Sequence, residues 1–155
     1  MTESDDPPAA GHNSGSIDEA TAAALAREAL GSPPLGCRLL SRGSTRDVFL
    51  IEMPRHAKLV VRVAVGQDAT IAAEVRASER ARNAGVRAPR VIDHQQDVST
   101  GDYSVCYAIE EYIDAPSLED FVHQGREVAQ LEHIVEHAGE MLAALHQIET
   151  TGYGR

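Results

Sequence analysis

The run Leu59-Val60-Val61-Arg62-Val63-Ala64-Val65 sets a cation in the middle of an otherwise apolar strand. Val61, Val63 and Val65 alternate to one face, so Arg62 shares the other face with Val60 and Ala64. Burying an unpaired charge is costly. Such a strand therefore needs an anionic partner, or an edge position from which the side chain reaches water. Segment 69–84 offers the partner. It reads as a helix closed by Asn83 to Gly85, with Ile71, Glu74, Ala77, Ser78 and Ala81 on one face and Arg76, Glu79, Arg80 and Asn83 on the other. Glu74 falls on the small, inward side.

The flanking segments extend the pattern. Ser16 with Glu19 makes a capping box that opens a helix over Ile17 to Leu30, stopped by Gly31-Ser32-Pro33-Pro34. Short strand-like runs follow at Cys37 to Ser41 and Val48 to Glu52, joined by a polar turn with Gly43, Ser44 and Thr45. Met53 to Lys58 is a second turn. Arg90 to Asp93 begins a fourth strand, Ser99 to Asp102 turns the chain, and Tyr103 to Glu111 is a fifth strand. Beyond Ala115-Pro116-Ser117, a Ser117/Asp120 box caps a short helix to about His123. Residues 128–148 form a long helix whose apolar residues Val128, Leu131, Val135, Ala138, Leu142 and Leu145 recur at three- and four-residue spacing. The reading is α+β: a five-stranded antiparallel sheet with one main helix over residues 17–114, then the first helices of a helical part over 115–155. Residues 1–16 are rich in Asp, Pro, Gly, Ser and Asn and read as a disordered tail.

Composition narrows the partners. The net charge is −10 and no Lys/Arg run exceeds two neighbours, which argues against nucleic acid. A nucleotide needs only a few local donors and a cation. Aromatics make up 4% and Trp is absent, so the core must come from Leu, Val, Ile and Ala. Cys37 and Cys106 have no metal-type spacing and read as small residues in a reducing compartment. No signal-type apolar region and no run long enough for a membrane span is present, giving a cytoplasmic, soluble expectation. His133-Ile134-Val135-Glu136-His137 matches the H-x-x-E-H pattern, but lacks a convincing third ligand and reads as a solvated face.

Four features then stand in order: the Gly43–Arg46 turn, Arg62, the Glu74 helix, and Glu111-Tyr112-Ile113 at the exit of the fifth strand. A strand cation fixed by a helix glutamate orients nucleotide phosphates in protein kinases. With Gly85-Val86-Arg87-Ala88-Pro89-Arg90-Val91, Leu145-His146-Gln147-Ile148 and Thr151-Gly152-Tyr153-Gly154, the chain from Leu39 to Arg155 resembles the aminoglycoside phosphotransferase and related small-molecule kinase family.

That resemblance implies a protein-kinase-like N-terminal lobe, and ATP or GTP with Mg in the cleft below the sheet. Arg62 would stand where the family carries Lys or Arg, paired with Glu74. Gly43, Ser44, Thr45 and Arg46 would cover the phosphates, while the Glu111 carbonyl and the Ile113 N–H would face the base. The phosphate turn is poorer in glycine than the family's pattern, and Ala115 stands where the hinge often has Gly. The family's catalytic Asp, its Asn and the metal-binding Asp have no counterpart in this sequence, so no catalytic or metal-ligating residue is assigned. The expectation is a nucleotide-binding portion inactive alone, or alternatively a pseudokinase-like binding module or a remnant. The 128–148 helix would then meet a second chain or a second copy.

Overall fold

The computed structural model describes residues 16–66, 69–101, 103–123 and 128–149. The expected tail up to residue 15 and the Thr151–Gly154 stretch lie outside the described residues, as does Asp102 of the expected Ser99–Asp102 turn. The elements run α1 (Glu19–Leu30), β1 (Gly36–Arg42), β2 (Asp47–Glu52), a short 3-10 turn (Pro54–His56), β3 (Lys58–Val65), α2 (Ala69–Asn83), β4 (Val91–Thr100), β5 (Tyr103–Glu111), α3 (Leu118–His123) and α4 (Val128–His146). The fold class is the expected one, α+β with a five-stranded sheet in the order β1-β2-β3-β5-β4. All four strand pairs are antiparallel.

The alternation read in β3 divides the core. Val61 and Val63 join Phe49, Ile51, Val105, Tyr107 and Ile109 on one face, where Ile17, Ala22, Leu25 and Ala26 of the α1 segment cover them. Ala64 joins Cys106 and Ala108 on the opposite face, covered by Ile71 and Val75 of α2. Each fully buried Val, Ile or Phe contributes about 1.5–3 kcal/mol relative to exposure. The layers therefore hold the sheet from both sides, and Arg62 lies on the α2 side.

Local chemistry departs from the sequence reading in three places. The α1 cap is Asp18, which accepts from Thr21 N–H at 2.8 Å. Glu19 accepts instead from Leu39 N–H at 3.0 Å, tying the helix start to β1 in place of the expected Ser16/Glu19 box. Gly31 ends α1 with φ of +66°, a left-handed conformation that glycine adopts without strain. On α2 the buried stripe runs through Ile71, Val75 and Ala81, whereas Ala77 is exposed. β4 is a ten-residue strand, much longer than its Arg90–Asp93 beginning implied. The Ser117/Asp120 box forms as read: each backbone N–H donates to the other's side chain at 3.1 Å.

Among the described residues no helix is long and apolar enough to cross a membrane. Both cysteines are free. Burial, followed by the charges of Glu19 and Asp18, pushes the Cys37 thiol up to about 11.

Candidate functional site

Register builds the site. Arg62 of β3 lies opposite Val48 on one side and Ala108 on the other. The Val48 pairing sets Arg62 beside the β1–β2 turn. The Ala108 pairing sets it beside Glu110, which shares the sheet face of Ala108 by the two-residue period. Helix α2 crosses that face and brings Glu74.

Four charged side chains then alternate in sign. Arg46 Nη1 donates to Glu74 Oε2 at 2.6 Å, and Arg62 Nη1 donates to the same oxygen at 2.7 Å. Arg62 Nη2 donates to Glu110 Oε1. Arg46 Nη2 donates to Thr70 Oγ1, one helical turn before Glu74. Glu110 is the more enclosed carboxylate, its side chain 14% exposed against 43% for Glu74. The hydrogen bond from Arg46, then that from Arg62, holds the Glu74 carboxyl below its ordinary range against the opposing effect of burial. Arg62 Nε is buried with no hydrogen-bond partner among the described residues. A buried guanidinium donor without an acceptor is costly unless an anion or water supplies one.

The turn itself is tight. Gly43 N–H donates to the Arg46 carbonyl at 2.8 Å. A Cβ at Gly43 would sit 2.9 Å from that carbonyl oxygen, so this closure requires glycine. Ser44 and Thr45 are exposed at its tip. Asp47, at its base, is buried and accepts from Ile17 N–H at 3.1 Å and from Arg42 Nε at 3.2 Å.

Of the residues singled out in the sequence, Gly43, Arg46, Arg62 and Glu74 converge here, with Ser44 and Thr45 on the same turn. Glu111 and Ile113 do not join the cluster. Glu111 is tied to Arg90: its N–H donates to the Arg90 carbonyl at 3.0 Å, and its carboxylate accepts from Arg90 N–H at 3.1 Å and Nε at 3.0 Å. The bond from Arg90 N–H to the carboxylate, then that from Arg90 Nε, lowers the Glu111 carboxyl from its ordinary value. The Ile113 carbonyl accepts from Ala115 N–H at 3.0 Å. Glu110, Thr70 and Asp47 were not found from sequence.

Away from this cluster, His137 Nδ1 lies 3.1 Å from Glu140 Oε2 on exposed α4. Among the described residues no group of three or more His, Cys, Asp or Glu side chains could hold a metal ion.

A five-stranded antiparallel sheet, a helix across one face, and an Arg–Glu ion pair joining the third strand to that helix form a kinase-like N-terminal lobe. The model of the phosphotransferase enzyme family (APH) matches residues 36–154. The chain belongs to that family, whose members in general use a nucleotide and a metal ion. A comparison with curated proteins found no match.

Proposed function

We propose that this chain supplies the nucleotide lobe of a phosphotransferase that takes ATP or GTP with Mg and passes a phosphoryl group to a small-molecule hydroxyl. One observation carries the reading: Arg62 on β3, clamped by Glu74 of α2 beneath the β1–β2 turn, keeps a buried Nε with no acceptor among the described residues. A phosphate oxygen is the anion that such a donor suits. In this reading Arg62 contacts the phosphates, Glu74 fixes Arg62, and Gly43, Ser44, Thr45 and Arg46 cover the phosphates. The Glu111 carbonyl and Ile113 N–H take the base edge. None of these residues is offered as a general base.

The cluster is electrically balanced, since Arg46 and Arg62 face Glu74 and Glu110. A polyphosphate therefore finds little net attraction there unaided. A divalent cation accompanying the nucleotide supplies the missing neutralisation.

The exposure of Val135, Leu142 and Leu145 on α4 favours a second reading, a non-catalytic module that binds a second chain or a second copy through that helix. Thermal-shift titration with Mg-ATP, beside Arg62→Ala, separates the two. A ligand that binds only the folded state adds about 2.7 kcal/mol at a hundredfold excess over Kd. Stabilisation that Arg62→Ala removes is the expected result. No shift in a folded wild-type chain would sink the nucleotide reading and leave the module.

A further inference from the structure

Arg46 is the residue on which the turn and the helix meet. Thr70 and Glu74 stand four residues apart on α2, stacked on one helical face. The Arg46 guanidinium spans both, with Nη2 on Thr70 and Nη1 on Glu74 at 2.6 Å. A planar fork of fixed geometry suits this two-point grip in a way a single ammonium does not. The backbone of the same residue closes the turn, because its carbonyl accepts from Gly43 N–H at 2.8 Å. The next residue, Asp47, anchors the base of the turn to Ile17 and Arg42. The turn is thus held from the side by α2 and from below by the segment that leads into α1.

We infer that Arg46 is a positioning residue that latches the β1–β2 turn onto α2, sharing Glu74 with Arg62 so that closure of the turn and placement of Arg62 are coupled. The coupling is physical. Both guanidinium groups use one oxygen, Glu74 Oε2, so losing one alters the hold on the other. An anion entering beneath the turn meets Arg46 and Arg62 together. The latch belongs to the free chain. Only its consequence for nucleotide release rests on the function proposed above.

Amide hydrogen exchange of residues 43–47 in the ligand-free chain tests it, with Arg46→Gln, Thr70→Val and Arg62→Gln compared. Loss of a partly enclosed ion pair should speed exchange in the turn roughly five- to tenfold in Arg46→Gln. Thr70→Val should act in the same direction and less, and Arg62→Gln should also quicken exchange in the turn, by less than Arg46→Gln, because both guanidinium groups hold the one Glu74 oxygen. Titration of the Glu74 carboxyl by NMR should rise towards its ordinary value in both arginine variants, and further in Arg46→Gln. A turn role for Arg46 that did not use this carboxylate would not move it in Arg46→Gln. Unchanged turn exchange in folded Arg46→Gln and Thr70→Val overturns the latch. Should Arg46→Gln fail to fold, Thr70→Val alone decides by the same exchange measurement. Release of a fluorescent ATP analogue, followed by stopped flow, should quicken several-fold in Arg46→Gln. Absence of analogue binding in the wild type counts against the nucleotide reading alone, and the exchange data still judge the latch.

Discussion

At the scale of single residues, Glu74 decides how the cluster responds to acid. Its carboxyl is depressed by the Arg46 hydrogen bond first and the Arg62 bond second. A carboxyl lower in the folded than in the unfolded state stabilises the fold above its unfolded value, and that stabilisation is lost as pH falls through the folded value. The contribution is therefore whole at neutral pH and fades below about 4.5, the ordinary value. Glu74→Gln should flatten the acid limb of a stability-against-pH curve measured by urea unfolding. An unchanged limb would show that the pair is too well solvated to matter. The Arg62–Glu74 pairing was legible because a cation in a valine strand and a carboxylate on the inward side of a helix each lack an obvious partner. Glu110 was not legible. Its role depends on β5 lying next to β3, with Arg62 opposite Ala108, and the chain order alone does not fix that adjacency. Arg46 was read as a phosphate cover because nothing in a four-residue turn announces a reach to Thr70 and Glu74 on another element.

At the scale of elements, the misread start of α1 gives a direct contrast. Asp18 caps the helix through Thr21 N–H, and Ser16 does not form the box expected of it. Replacing a capping Asp by Ala costs about 0.5–2 kcal/mol. Asp18→Ala should lose that much stability in urea unfolding, whereas Ser16→Ala, on an exposed residue, should stay within about 0.5 kcal/mol. Equal effects would return the cap to Ser16. β4 shows a different limit of sequence reading. As the sheet's edge it buries little, and its Asp93-to-Asp97 stretch is polar on both faces. The two-residue alternation that betrays half-buried strands is absent there, so only the apolar beginning was seen. β5, central and buried from Val105 to Ile109, was read with its full bounds. The inward face of α2 was read part of a turn off: Val75, one turn after Ile71, is buried, while Ala77, about 200° round the wheel from Val75, is exposed.

At the scale of the whole molecule, the two core clusters bind α1, the sheet and α2 into one body, and α4 stands apart. Among the described residues, the Arg80 guanidinium donating to the Glu149 carbonyl just past the helix end ties it to that body. Val135 is 63% exposed, Leu142 53% and Leu145 39%, so the apolar stripe read from the sequence exists as a helix face but is uncovered. Two consequences can be separated by experiment. In dilute solution, Leu142→Ala should change stability by no more than about 0.5 kcal/mol, as for other exposed positions. Phe49→Ala, at a fully buried position, should cost about 3–5 kcal/mol. If a second copy covers the stripe, the cost of Leu142→Ala should grow with chain concentration, because association stabilises by mass action. Amide exchange should agree: α4 opens early, and β5, flanked by strands on both sides and layered between helices, opens last. A full buried-type cost for Leu142→Ala at high dilution would overturn this, since it requires the helix to be packed within its own chain. The stripe therefore carries the question of partners, while the Arg46–Glu74–Arg62–Glu110 row carries that of ligands, and the two can be mutated without touching each other.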